Sequence, residues 1–270
     1  MVIVRVFDTD MRGESTLFHE EFLAAANASQ AKRKLLENNP LGYFLLSMLA
    51  GSFIGFGVLL TNSIGASLQG EPYTKLVLGL SFGIALSLVV MAGAELFTGN
   101  NLVMAAGILE KKVTLGQSVK LWVVCWIGNL CGSVVLGLVY TLTGLANGPV
   151  GEFMAAAAMG KISAGFVPLL ARGALCNMLV CLAVWCGFRA KSDAGKLIMI
   201  FWCLFAFITT GFEHSVANMT LFTEVLLNPS GQAVTIGGCF YNLVTVTIGN
   251  MIGGIVFVAL PYFGASRQKA

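Results

Sequence analysis

A chain of 270 residues that is 57% hydrophobic and only 11% charged is no ordinary soluble domain, where about a quarter of residues carry charge. With a mean hydropathy of +0.83 it reads as an integral membrane protein. The net charge of +3 follows from how the basic residues are distributed across the membrane and gives no sign of nucleic-acid binding.

The first fifteen residues, MVIVRVFDTDMRGES, include acids and lack the long apolar core of a cleaved signal peptide. From Thr16 to Glu37 the pattern predicts an amphipathic helix lying at the cytoplasmic interface. Phe18, Phe22, Ala25, Ala26 and Ala31 share a face, while Lys32, Arg33 and Lys34 reach toward lipid headgroups. Six apolar segments follow, at about 41–66, 76–109, 116–144, 163–188, 196–228 and 234–263, each long enough for the roughly 20 residues a crossing needs. Segments two and five are unusual. GAELFTGNN (93–101) and GFEHSVANM (211–219) place an acid and a polar cluster in the middle of each. All seven cysteines fall inside predicted spans, with no metal spacing or disulfide framework.

Six spans put both termini and the 2–3 and 4–5 connections on one side. That side carries thirteen of the sixteen Lys and Arg residues, from Arg5 and Arg12 to Arg267 and Lys269; only Lys75 and Lys161 lie on the other, and Arg172 falls inside span four. The positive-inside rule therefore makes both termini cytoplasmic.

The second half echoes the first. Ile127-Gly128-Asn129-Leu130-Cys131-Gly132 reappears as Ile248-Gly249-Asn250-Met251-Ile252-Gly253, Glu95…Asn100 as Glu213…Asn218, and Gly51 matches Gly173, each pair about 120 residues apart. Three spans per copy force opposite orientations, the inverted-repeat plan in which broken helices of matching rank mark a substrate site. The expected organisation is a cytoplasmic segment 1–38, a channel domain 39–264 with repeats at about 39–145 and 160–264, and a tail 265–270. Irregular backbone at mid-membrane depth survives only against protein or a wet cavity. Half-helix N-termini aimed at the centre favour an anionic substrate.

At NNPLG (38–42), AELFTG (94–99), RGALCN (172–177), LVCLAVW (179–185) and FEHSVANMTLF (212–222) the chain resembles the formate–nitrite transporter family, most closely its nitrite branch, over about residues 24–263. The resemblance implies an all-α fold of six transmembrane helices with an aquaporin-like 3+3 inverted repeat. It implies a homopentamer in a bacterial inner membrane, each protomer with its own pore for a small monovalent anion or its conjugate acid. It also implies roles for residues. His214 would be the central histidine and Thr98 and Asn177 its polar partners. Phe82 and Phe207 would form the outward constriction, and Leu86, Leu96, Phe97 and Val180 the inward one. Lys161 would draw anions to the outer vestibule. Arg172 stands where that branch commonly has lysine.

An ionisable residue inside a bilayer is costly, which favours a function for His214: desolvation disfavours an imidazolium and an approaching anion favours it. Glu95 and Glu213 would repel such cargo. They are expected to structure the breaks by accepting hydrogen bonds from freed backbone amides. Asn129 and Asn250 are expected at helix–helix contacts. Two other functions compete. A neutral-solute pore lacks its Asn-Pro-Ala pair here, and a hydrolase built on Glu213, His214 and Ser215 would need three consecutive helical residues to converge. No nucleotide loop, metal or cofactor is called for, so flux would run down a gradient of anion or proton.

Overall fold

The computed structural model describes residues 18–267, and the first fifteen residues with Arg5 and Arg12, the start of the amphipathic segment at Thr16, and Lys269 in the tail lie outside them. Among the described residues the fold is wholly helical. Helix α1 (His19–Asn38) ends where Asn39 precedes Pro40, and Asn39 Oδ1 accepts from the Gly42 amide to start α2 (Pro40–Ser67). Span two is α3 (Thr74–Ser81), α4 (Ile84–Ala92) and α5 (Phe97–Leu109). A capping box of Thr114 and Gln117 opens α6 (Leu115–Leu142), and α7 (Pro149–Ile162) lies in the connection to α8 (Phe166–Arg189). Span five is α9 (Asp193–Thr210) and α10 (Ser215–Leu227). Span six is α11 (Ile236–Gly254), a π-helical turn at Ile255–Ala259 and α12 (Leu260–Ala265). The π-turn has a local cause: Pro261 has no amide proton, and its ring would clash with the Phe257 carbonyl in a regular helix.

Six helices, counting α3–α4 and α11–α12 each as one, are long and apolar enough to cross a membrane. The two polar motifs do break their spans. Gly93 (φ 79°) ends α4 and Gly211 (φ 82°) ends α9, both in backbone conformations open to glycine and costly for other residues. Both second halves, α5 and α10, have 13 residues.

The copies are assembled by close helix contacts of equivalent kind. A Cβ on Gly132 would collide with the Met48 carbonyl across α2–α6, and one on Gly253 with the Ala174 carbonyl across α8–α11.

The structure departs from the expectations in places and adds to them in others. The repeat register differs at Gly51: Asn129 donates to the Ser47 carbonyl and Asn250 to that of Gly173, so Gly173 matches Ser47 and the counterpart of Gly51 is Asn177, one turn further on. Helices α1 and α7 precede the two copies in the same way, and each supplies a lysine to a break, Lys32 to Glu95 and Lys161 to Glu213. Helix α1 does not simply lie at the interface with its basic cluster in the headgroups. Its Phe22, Ala25 and Ala26 are fully buried against α5, α8 and the end of span six, Lys32 turns inward, and Ala31 is exposed. Finally, span two has a second interruption at Phe82–Gly83, where the Ala85 amide reaches only to the Phe82 carbonyl. Span five has no equivalent in α9.

Candidate functional site

The four N–H groups at a helix start have no intrahelical partner, and inside a membrane water cannot supply one. Two asparagines meet that need. Asn129 Oδ1 accepts from the Phe97 amide (2.9 Å), while its Nδ2 donates to the carbonyls of Glu95 (2.9 Å) and Ser47 (2.7 Å). Asn250 Oδ1 accepts from the Ser215 amide (3.0 Å), and its Nδ2 donates to Glu213 (3.0 Å) and Gly173 (2.8 Å). Asn129 and Asn250 thus splice each break to the helices flanking it, beyond the simple helix contact expected of them. The repeated Asn in IGNxxG was the available signal.

The carboxylates act differently from expectation. Glu95 and Glu213 take side-chain donors, with no backbone amide bound to either carboxylate among the described residues. Glu95 pairs with Lys32 of α1 (2.6 Å) and accepts from Asn100 Nδ2 (2.9 Å). Glu213 pairs with Lys161 of α7 at 2.9 Å to each oxygen and accepts from Asn218 Nδ2 (2.7 Å). Asn100 and Asn218 are braced in turn by Tyr43 and Asn242. Each buried negative charge is therefore neutralised by a lysine within contact distance. Lys161 spends its charge on Glu213, where the resemblance implied an anion lure. Lys32, read as a headgroup contact, is its counterpart; only the matching of α1 to α7 could have exposed it.

With the acids neutralised, the N-terminal ends of α5 and α10 meet at the centre. Thr98 Oγ1 lies 3.0 Å from His214 Nε2. His214 is the N-cap of α10, and its Nδ1 accepts from the Ala217 amide (3.1 Å). An Nδ1 used as acceptor leaves the proton of the neutral ring on Nε2, facing Thr98. Asn177 Nδ2 donates to the Thr98 and Asn250 carbonyls (3.3 and 2.7 Å), but its Oδ1 is buried and unpartnered. Asn101, one turn after Thr98, is completely buried with both amide atoms unpartnered. It is a polar group that sequence reasoning passed over.

Aromatic rings pack against this station. Phe207 stacks on the His214 ring at 6.0 Å and meets Phe82 edge to face at 5.5 Å. Phe82 sits at the second interruption of span two. Leu86, Leu96, Phe97 and Val180 are all nearly fully buried in one apolar cluster. Phe97 also forms part of an outward-facing apolar groove between α6 and α11. Arg172 is exposed on α8, and only its carbonyl serves the break, accepting from the Glu213 amide. Glu213, His214 and Ser215 make no hydrogen bonds to one another among the described residues, so no relay links them.

A family model described as "Formate/nitrite transporter" matches residues 19–264. The chain is 42% identical to "Nitrite transporter NirC" of Salmonella typhimurium over 91% of its own length and 90% of that relative. Among solved structures it resembles an "FNT family ion channel" with a TM-score of 0.88 and 39% identity, covering 91% of this chain and 98% of the other. It also resembles a "Pentameric formate channel with formate bound" with a TM-score of 0.75 and 30% identity, covering 83% and 96%.

Proposed function

Because this chain belongs to the formate/nitrite transporter family, we propose that it passes small monovalent anions of weak acids across the membrane through a pore in each protomer. Nitrite and formate are the first substrates, and hydrosulfide is a third of the same chemistry. The observation that carries this reading is the convergence of two helix N-termini on Thr98 and His214 while Lys32 and Lys161 neutralise the nearby acids. Helix N-termini favour negative charge, and unpaired carboxylates beside the path would cancel that preference.

An anion entering past Phe82 and Phe207 loses water and needs donors. Nε2–H of His214 and the hydroxyl of Thr98 supply them, the unpartnered Nδ2 of Asn101 offers a further donor, and the unpartnered Oδ1 of Asn177 can accept from the neutral acid. At rest His214 acts as a hydrogen-bond donor. It can hand a proton to the anion only after taking a second one at Nδ1, which first requires release of the Ala217 amide. The apolar slit of Leu86, Leu96 and Val180 then admits only a desolvated anion or its neutral acid.

The homopentamer, the bacterial inner membrane and the cytoplasmic termini belong to this proposal. They rest on a pentameric relative and on the excess of Lys and Arg on the side of the termini. The test is uptake of nitrite, formate and hydrosulfide into proteoliposomes at two pH values, with glycerol and urea as neutral controls. Anion-selective flux that rises with acidity supports the reading. Glycerol or urea passing as fast as any anion overturns it in favour of a neutral-solute pore.

A further inference from the structure

The groove between α6 and α11 has a volume of about 550 Å³ and is lined by Phe97, Val119, Trp122, Trp126, Val244 and Met251 among others. Its two tryptophans have their polar atoms turned away. Trp122 Nε1 donates to the Asn100 carbonyl and Trp126 Nε1 to Thr247 Oγ1, both at 3.1 Å. What faces outward is ring carbon, so the groove offers hydrocarbon contact and nothing for water.

Its position is equally specific. The wall runs along α6 from Val119 to Ile127, about 12 Å at the rise of a helix, close to half of a hydrocarbon core of about 30 Å. It starts at the end of α6 where Lys120 stands exposed beside Val119, one turn before Val123 of the groove wall. Lys111, also exposed, precedes the same helix, and Lys120 has no salt-bridge partner among the described residues. A dry channel one leaflet long with a cation at its mouth is complementary to one kind of molecule.

We propose that this groove binds an acyl chain of an anionic phospholipid whose headgroup docks on Lys120. The proposal requires the membrane placement of α6 and α11 and is independent of which anion the pore carries. The bound chain lies against Phe97, the first residue of α5, so the lipid supports the break from behind.

Trp122 and Trp126 are built-in reporters. The full chain carrying Trp202→Phe, which removes an exposed tryptophan outside the groove (55% exposed), is placed in phosphatidylcholine vesicles. Phosphatidylglycerol brominated at mid-chain is titrated in, with brominated phosphatidylcholine as the comparison. Trp185, 1% exposed, contributes a constant background. Quenching should reach half-saturation at about five-fold lower mole fraction for the anionic lipid, the factor expected for one lysine near a charged headgroup. Lys120→Gln should bring the two curves together. If that variant does not assemble, Val123→Phe, which fills the groove, should reduce quenching by both lipids. Equal quenching by the two headgroups overturns the proposal, leaving bulk lipid at an unselective surface. No quenching by either also overturns it and leaves a face covered by a second copy of the chain.

Discussion

Replacing Asn250 by alanine removes the splice at the second break and leaves the helices around it in place. Three hydrogen bonds go, but the losses are unequal. The Gly173 carbonyl keeps a place in the ladder of α8, whereas the Ser215 amide and the Glu213 carbonyl lose the asparagine that serves them at the break. Orphaned buried groups cost about 1–3 kcal/mol each, so two cost about 2–6 kcal/mol. Hydrogen bonds between helices in a bilayer average nearer 0.6 kcal/mol because the reference state also finds partners, so about 2 kcal/mol is the expected loss. That displaces His214, the residue preceding Ser215, and should cut anion flux by at least about tenfold, a factor equivalent to about 1.4 kcal/mol. Asn129→Ala should be milder, because the Glu95 carbonyl also accepts from Cys125 Sγ at 3.1 Å. Stopped-flow flux in proteoliposomes and the thermal midpoint in detergent measure both effects. Asn250→Ala with wild-type flux and midpoint, or Asn129→Ala as the more damaging of the two, would refute the splice argument.

Lys161→Met strands the Glu213 carboxylate, and breaking such a buried pair costs about 3–5 kcal/mol, less here because the lysine is partly solvated. Adding Glu213→Gln should recover the midpoint; failure to do so would mean that Lys161 acts on something other than its partner. His214→Phe should abolish pH-dependent flux while losing only about 1 kcal/mol of helix capping. Unchanged flux in a correctly assembled variant removes His214 from the mechanism. Gly253→Val drives a side chain into the Ala174 carbonyl and should destabilise the α8–α11 pair by about 1–3 kcal/mol or more. A wild-type midpoint together with a monodisperse elution profile would contradict that packing.

Much of this architecture can be read from the letters, because a bilayer permits so few alternatives. Uncharged stretches such as Leu41–Gln69 leave little choice but a helix, and the recurrence of Glu95…Asn100 as Glu213…Asn218 marks both breaks. What escaped depended on distance in space. Lys32 and Glu95 are 63 residues apart, and no local pattern says that a lysine at the end of an amphipathic helix turns toward the protein. The carboxylates looked like caps because an acid beside a break commonly is one. The cap here is an asparagine from the third span of each copy, contributed across a helix interface. Gly51 misled for another reason: glycine is frequent in these helices, so one equal spacing among many was a coincidence one turn out of register.

The duplicated scaffold has a further consequence. At the spacing that maps Glu95 onto Glu213, Leu96 corresponds to His214 and Thr98 to Val216. Two identical halves facing one another would have presented the same side chain twice, a histidine to a histidine or a threonine to a threonine. Holding both copies in one chain allows these side chains to differ while the splices, charge pairs and glycine contacts match. The backbone at the two central breaks is therefore closely matched, the interruption at Phe82–Gly83 being found in one copy alone, and the chemistry is not. Polarity across this membrane is carried by a few side chains that differ between two matched halves.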